Sequence, residues 1–145
     1  MIALDTNVLV YAHRSLVAEH AGARRAILEA SRNPDGWGIP SPCLAEFWSV
    51  VTHPQCTGKP SSPQEAAAFV NSLRAAGAEL WQPGAGFPAR LLRIVRDLNL
   101  RGPRIFDLQI ALTALDNGAA EIWTYDRNFA ALPGIRVRHL SAAGH

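Results

Sequence analysis

Met1 to Ala12 reads MIALDTNVLVYA. A short apolar run stops at Asp5, and from Thr6-Asn7 onward the apolar residues Val8, Leu9, Tyr11 and Ala12 recur at helical spacing. A strand feeding directly into a helix is expected, with a carboxylate at the joint. The arrangement returns near the other end of the chain, where Ile122 to Tyr125 is an apolar strand candidate followed at once by Asp126. In open parallel sheets such strand ends form the edge where ligands bind.

Between these two joints strand and helix signals alternate. Ala18 to Ser31 has an amphipathic helical pattern, broken by Asn33-Pro34-Asp35-Gly36. Trp37 to Ile39 is a short strand. Ser41-Pro42 starts the helix Cys43 to His53, since proline is tolerated in a first turn. The loop Gln55 to Ser62 leads to a helix ending at Ala76, with Glu65 in the capping-box position. Glu79 to Gln82 is a strand, Phe87 to Leu98 a helix, and Arg101-Gly102-Pro103 a turn before the helix Ile105 to Asn117, which Asn117-Gly118 closes. Beyond Asp126, Arg127 to Leu132 reads as a short helix, Pro133-Gly134 as a turn and Ile135 to Leu140 as a last strand. Strands alternating with helices predict an α/β fold with a parallel sheet covered on both faces.

The chain has 145 residues, 48% hydrophobic and 18% charged. That length fits one domain, residues 1–145, able to remove roughly two-thirds of its unfolded surface from water. No repeats or linkers interrupt it. No run approaches the roughly 18 apolar residues of a membrane span and no basic region leads into an apolar signal segment, so a cytoplasmic protein without a membrane partner is expected. Cys43 and Cys56 match no common zinc spacing and are read as free thiols, Cys43 buried. The five histidines show no metal or acid–base spacing, and His145 at the terminus is expected to be disordered. Trp37, Trp48, Trp81 and Trp123 sit in apolar runs and are assigned to the core. The net charge is +2, with Lys59 the sole lysine among the basic residues. Arginine's planar fork suits a phosphate-bearing partner without requiring one.

The acidic residues carry more information. Asp5, Glu46, Asp107 and Asp126 each interrupt apolar sequence, and an uncompensated buried carboxylate costs roughly 1–3 kcal/mol even on the mildest scales. Asp5, Asp107 and Asp126 fall where helices begin, and each could be an N-cap. Ser, Thr or Asn would cap as well, however, and capping does not explain Glu46 inside a helix. Glu46 lies off the stripe of Leu44, Phe47, Trp48 and Val51, on a flank with Cys43 and Val50, and helical geometry alone does not bring it to the other acids. If the four converge, their repulsion raises their pKa values until a cation neutralises them. Oxygen-only ligands favour Mg²⁺ or Mn²⁺, and a water activated by such an ion can attack a phosphodiester in line.

The segments LDTNVLVYA (Leu4 to Ala12), LAEFWSVVTHP (Leu44 to Pro54), RIFDLQIALTAL (Arg104 to Leu115) and IWTYDRNF (Ile122 to Phe129) resemble, in order and spacing, the PIN-domain ribonucleases, above all the VapC-like toxins of bacterial toxin–antitoxin pairs. The resemblance spans essentially the whole chain. It implies a PIN-like three-layer α/β/α fold with a mostly parallel sheet of four to five strands. It implies an acidic catalytic and metal site of Asp5, Glu46, Asp107 and Asp126, supported by Thr6, Asn7 and Thr124. It implies Mg²⁺- or Mn²⁺-dependent endonucleolytic cleavage of single-stranded RNA, inhibition by a cognate antitoxin, and a homodimer. One position departs from the family pattern, because Asn128 stands where a further acid is common. An amide binds metal weakly, so one ion is expected to be well held and a second to be weak or brought by substrate.

Arg14, Arg104, Arg127 and Lys59 lie near the acidic positions or the following loop and are candidate phosphate contacts. Two rival functions remain at this level. A PIN-like RNA-binding module without catalysis would need a broken acid set. A phosphatase of the haloacid-dehalogenase type would need a second Asp two residues after Asp5, where this chain has Asn7.

Overall fold

The computed structural model describes residues 1–56, 58–130 and 132–142; His145 lies outside them. At its centre runs β1 (Ile2–Leu4), buried along its whole length. Beside it lie β2 (Trp37–Pro40) and β4 (Glu121–Thr124), flanked in turn by β3 (Glu79–Trp81) and β5 (Arg136–His139), in the order β3-β2-β1-β4-β5. All four pairings are parallel. Among the described residues six helices cover the sheet: α1 (Thr6–His13), α2 (His20–Ser31), α3 (Ser41–Thr52), α4 (Pro63–Ala75), α5 (Phe87–Asp97) and α6 (Arg104–Asp116). The result is the expected three-layer α/β/α architecture. None of the described helices is long and apolar enough to cross a membrane.

Parallel strands covered on both faces must be apolar throughout, which is why Ile2, Ala3, Leu4, Trp37, Ile39, Ile122 and Trp123 are all buried. The strand order reverses across β1: the chain moves outward to β2 and β3, then returns to β4 on the other side. The β1–β4 junction is therefore the topological switch point, where no crossover helix fills the crevice beyond the strand ends. Register pairs Leu4 with Trp123, so the next residues along, Asp5 and Thr124, face one another at that edge.

Three local features position the rest. β3 lies so close to β2 that a Cβ on Gly38 would stand 2.3 Å from the Trp81 ring. At the opposite end of α6, Asp116 receives both terminal nitrogens of Arg90 at 2.8 and 2.6 Å and the Gly84 amide at 2.7 Å, pinning α5 and the loop before it. Arg14 donates to the carbonyls of Val51 and Lys59 at 2.9 and 2.7 Å and lies 3.1 Å from the Cys56 sulfur, clamping the loop after α3 onto α1.

Two sequence expectations need correction. Arg127 to Leu132 forms no helix among its described residues: Arg127 and Asn128 make a turn and the rest is irregular. Asp126 and Asp107 side chains take the Asn128 and Ala130 amides, so the segment follows the acids instead of its own carbonyls. Trp48 is 39% exposed, unlike Trp37, Trp81 and Trp123, because the buried line on α3 is Cys43, Phe47 and Val51, a strict four-residue step that leaves Trp48 to solvent.

Gly38→Ala should lower unfolding free energy by about 1–3 kcal/mol through the forced clash with Trp81. Urea denaturation monitored by tryptophan fluorescence measures it; a midpoint equal to the parent's would show that the β2–β3 contact gives way freely.

Candidate active site

The C-terminal edge of the sheet collects the acids by simple topology. β1 ends at Asp5 and β4 at Thr124, two residues before Asp126. α3 leaves the same edge after β2 and carries Glu46 in its second turn. α6 runs back toward the start of β4, so its first turn, with Asp107, also lies at this edge. All four carboxylates line one cleft of about 440 Å³, together with Thr6, Asn7, Val10, Tyr11, Val50, Phe106 and Ile110.

Asp5 is the buried floor of that cleft, 6% exposed. Its Oδ1 accepts the Thr6 amide at 2.7 Å, making it the N-cap of α1, and its Oδ2 accepts the Thr124 hydroxyl at 2.7 Å. The Cys43 thiol stands 3.9 Å from Oδ1, and burial first, then the Asp5 charge, pushes that thiol well up, so it stays a neutral, weak donor. Thr124 has no spare capacity: its oxygen also accepts the Asp126 amide at 2.9 Å and the Asn7 side-chain amide at 3.2 Å. Asn7 completes the brace by accepting the Tyr125 amide at 3.0 Å. Capping thus accounts for one oxygen of Asp5 only, while Asp107 and Asp126 bond to the 126–130 segment rather than to a helix start.

Electrostatics follow from this placement. Burial drives the Asp5 carboxyl up from 3.8 to about 6; the bonds from Thr124 and Thr6 pull it down, and the charges of Glu46 and Asp107 add to the rise. Asp107 is also raised, first by burial, with the Ala130 amide opposing, the Asp126 charge adding, Arg104 lowering and Glu46 raising. Asp5, Glu46 and Asp107 therefore act on one another across the cleft, and Asp126 acts on Asp107. Among the described residues no three His, Cys, Asp or Glu side chains close into a ready-made metal cage. A cleft whose ligands are carboxylates, two of them raised chiefly by burial, fits a hard cation that keeps several of its own waters.

The basic candidates fare differently. Arg14 is committed to the loop clamp, so both terminal nitrogens are occupied and it does not reach the acids. Lys59 lines a neighbouring hollow of about 830 Å³. Arg104 and Arg127 are exposed beside Asp107 and Asp126, and Asn128 is exposed with its amide on Asp126. Sequence reasoning overlooked the cleft's apolar wall of Val10, Tyr11, Val50 and Phe106. The exposed Val50 and Phe106 lie in helices whose other apolar residues are mostly core, so nothing in their spacing marks them out.

Known proteins share this fold. The PIN domain family model matches residues 2–135. Ribonuclease VapC43 of Mycobacterium tuberculosis is 36% identical over 140 residues, 96% of this chain and 95% of the relative. Among solved structures, VapC20 of Mycobacterium tuberculosis, a sarcin–ricin-loop-cleaving toxin, superposes with a TM-score of 0.70 at 16% identity, covering 95% of this chain and 99% of that one. VapBC2 from Rickettsia felis, bound to a DNA fragment from its promoter, gives a TM-score of 0.68 at 19% identity, covering 97% and 100%. At these identities the two structures speak to fold.

Folded Asp5 keeps its proton to about pH 6, whereas the unfolded residue releases it near 3.8. Between these values the folded state binds more protons, so stability without divalent cations falls as pH rises, by about 3 kcal/mol once Asp5 is ionised. Asp5→Asn should flatten most of that slope. Urea midpoints in chelator across this window test it, and an unchanged slope in the variant would assign the effect elsewhere.

Proposed function

The chain belongs to the PIN-domain family and, within it, to the VapC ribonucleases; from that premise we propose that it is a Mg²⁺- or Mn²⁺-dependent endoribonuclease, the toxin of a toxin–antitoxin pair, that cuts single-stranded regions of RNA. The observation that carries this is the convergence of Asp5, Glu46, Asp107 and Asp126 on one cleft at the β1–β4 switch point. A cytoplasmic homodimer restrained by a cognate antitoxin completes the proposal; the solved VapBC2 complex of a structural neighbour supports a partner of that kind.

Asp5, Asp107 and Asp126, with Glu46, would hold the ion. When bound, such an ion lowers the pKa of a water and neutralises charge on a phosphoryl oxygen. The protein's own contribution is orientation. Thr124 and Thr6 fix both oxygens of Asp5, so the floor carboxylate meets its cation without reorganising. Asn7 and the Thr124 oxygen tie the start of α1 to the end of β4, setting Asp126 relative to Asp5. The 126–130 segment donates its Asn128 and Ala130 amides to Asp126 and Asp107, fixing one oxygen of each acid at the cleft. Burial, above all, holds the Asp107 carboxyl above the usual carboxylate range until a cation would offset it.

Two measurements test the proposal. Purified protein should cleave single-stranded RNA with Mg²⁺ or Mn²⁺ and fall silent in chelator; equal activity in chelator would refute metal dependence. Thr124→Val, which removes the brace but no carboxylate, should cost about 10–100-fold in kcat/KM. Asp5→Asn or Asp107→Asn should cost more than that, and full activity in either would remove that acid from the mechanism.

A further inference from the structure

Phe106 is the one large apolar side chain of α6 turned to solvent. It is 58% exposed, whereas Leu108, Ile110, Ala111, Leu112 and Ala114 on the same helix are buried. The ring nonetheless lines the cleft shared by the four carboxylates and directly precedes Asp107 in the chain. It is not held there by the core, since the core closes without it.

Its surroundings specify the chemistry it can meet. Tyr11, Val10 and Val50 line the same cleft, so beside the acids it offers flat and apolar surface. Two residues before Phe106, Arg104 is exposed and makes no ion pair among the described residues, yet its charge acts on Asp107. Arg101 is exposed on the same connection. An exposed ring in an acidic cleft, with the charge of Arg104 acting on the neighbouring Asp107, is the pairing suited to hold single-stranded nucleic acid, with a base on the ring and a phosphate on the cation.

Building on the proposed ribonuclease activity, we propose that Phe106 is a stacking platform for an unpaired nucleobase next to the scissile phosphodiester, with Arg104 on the adjoining backbone phosphate. A base laid on this ring must leave its own helix, so duplex RNA is excluded by geometry. Stacking uses the face that every base has, so the contact tolerates sequence and selects for strandedness.

The stack is present before and during cleavage, and its loss acts on KM more than on kcat. Phe106→Ala and Phe106→Leu should lower kcat/KM on single-stranded RNA by about tenfold or more, while Phe106→Trp retains it. Thermal midpoints should not move, because the ring is exposed. Wild type should lose a similar factor when one nucleotide beside the cut is made abasic, and Phe106→Ala should lose nothing further there. Equal kcat/KM in wild type and Phe106→Ala, or losses that multiply at every abasic position, would overturn the assignment. So would a change of oligomeric state in Phe106→Ala by light scattering, which would make the ring a contact between copies of the chain. A second readout is independent of cleavage: a short single-stranded RNA containing 2-aminopurine, in chelator so that it stays uncut, should be quenched by wild type and not by Phe106→Leu. Wild type that quenches in chelator without cutting in Mg²⁺ refutes the ribonuclease activity and keeps the platform; wild type that cuts without quenching does the reverse.

Discussion

Everything at the functional edge depends on one hydroxyl. The Thr124 oxygen donates to Asp5 and accepts from the Asp126 amide and from Asn7. A carboxylate as buried as Asp5 needs donors fixed in place before it can be tolerated in an apolar sheet. β1 and β4 supply them because their register sets residue 124 opposite residue 5. The same bonds that make Asp5 tolerable also orient Asp126, so accommodating the first acid arranges the last. What remains is charge: Glu46 and Asp107 add to the rise that burial imposes on the Asp5 carboxyl.

The parallel sheet explains why acids so distant in sequence share a cleft. The β1–α1 joint, α3 after β2, the start of α6 and the end of β4 each bring one acid to the same edge, and the reversal of strand order opens a crevice there. The opposite end of α6 is closed by Asp116 with Arg90 and Gly84, a site of structural ion pairing well away from the cleft. One helix thus carries an acid at each end, matched by an arginine at its far end and left among other acids at its near end.

Much of this was legible in the sequence. Apolar runs ending at Asp5 and Asp126 located β1 and β4, and the turn residues set most helix limits to within one or two positions. Glu46 was not placeable by periodicity, because its distance from the other acids depends on how α3 leaves β2, a tertiary matter. The supposed helix at Arg127 to Leu132 had helical spacing locally, but two side-chain carboxylates outcompeted its carbonyls for the amides. Arg14, a phosphate-contact candidate by proximity in sequence, donates to a loop whose position only the fold reveals. Trp48 and Phe106 sat in apolar runs like any core residue; burial is decided by which stripe faces the sheet, and a shift of one position reverses it.

The cleft has a buried floor and exposed walls, and the two differ in how freely they can change. Altering the floor disturbs a hydrogen-bond brace on which packing of β1 against β4 relies. Altering Phe106 or Val50, both open to solvent, costs the fold little. Lineages that duplicate such a gene can therefore diversify what enters the cleft while inheriting unchanged the machinery beneath it.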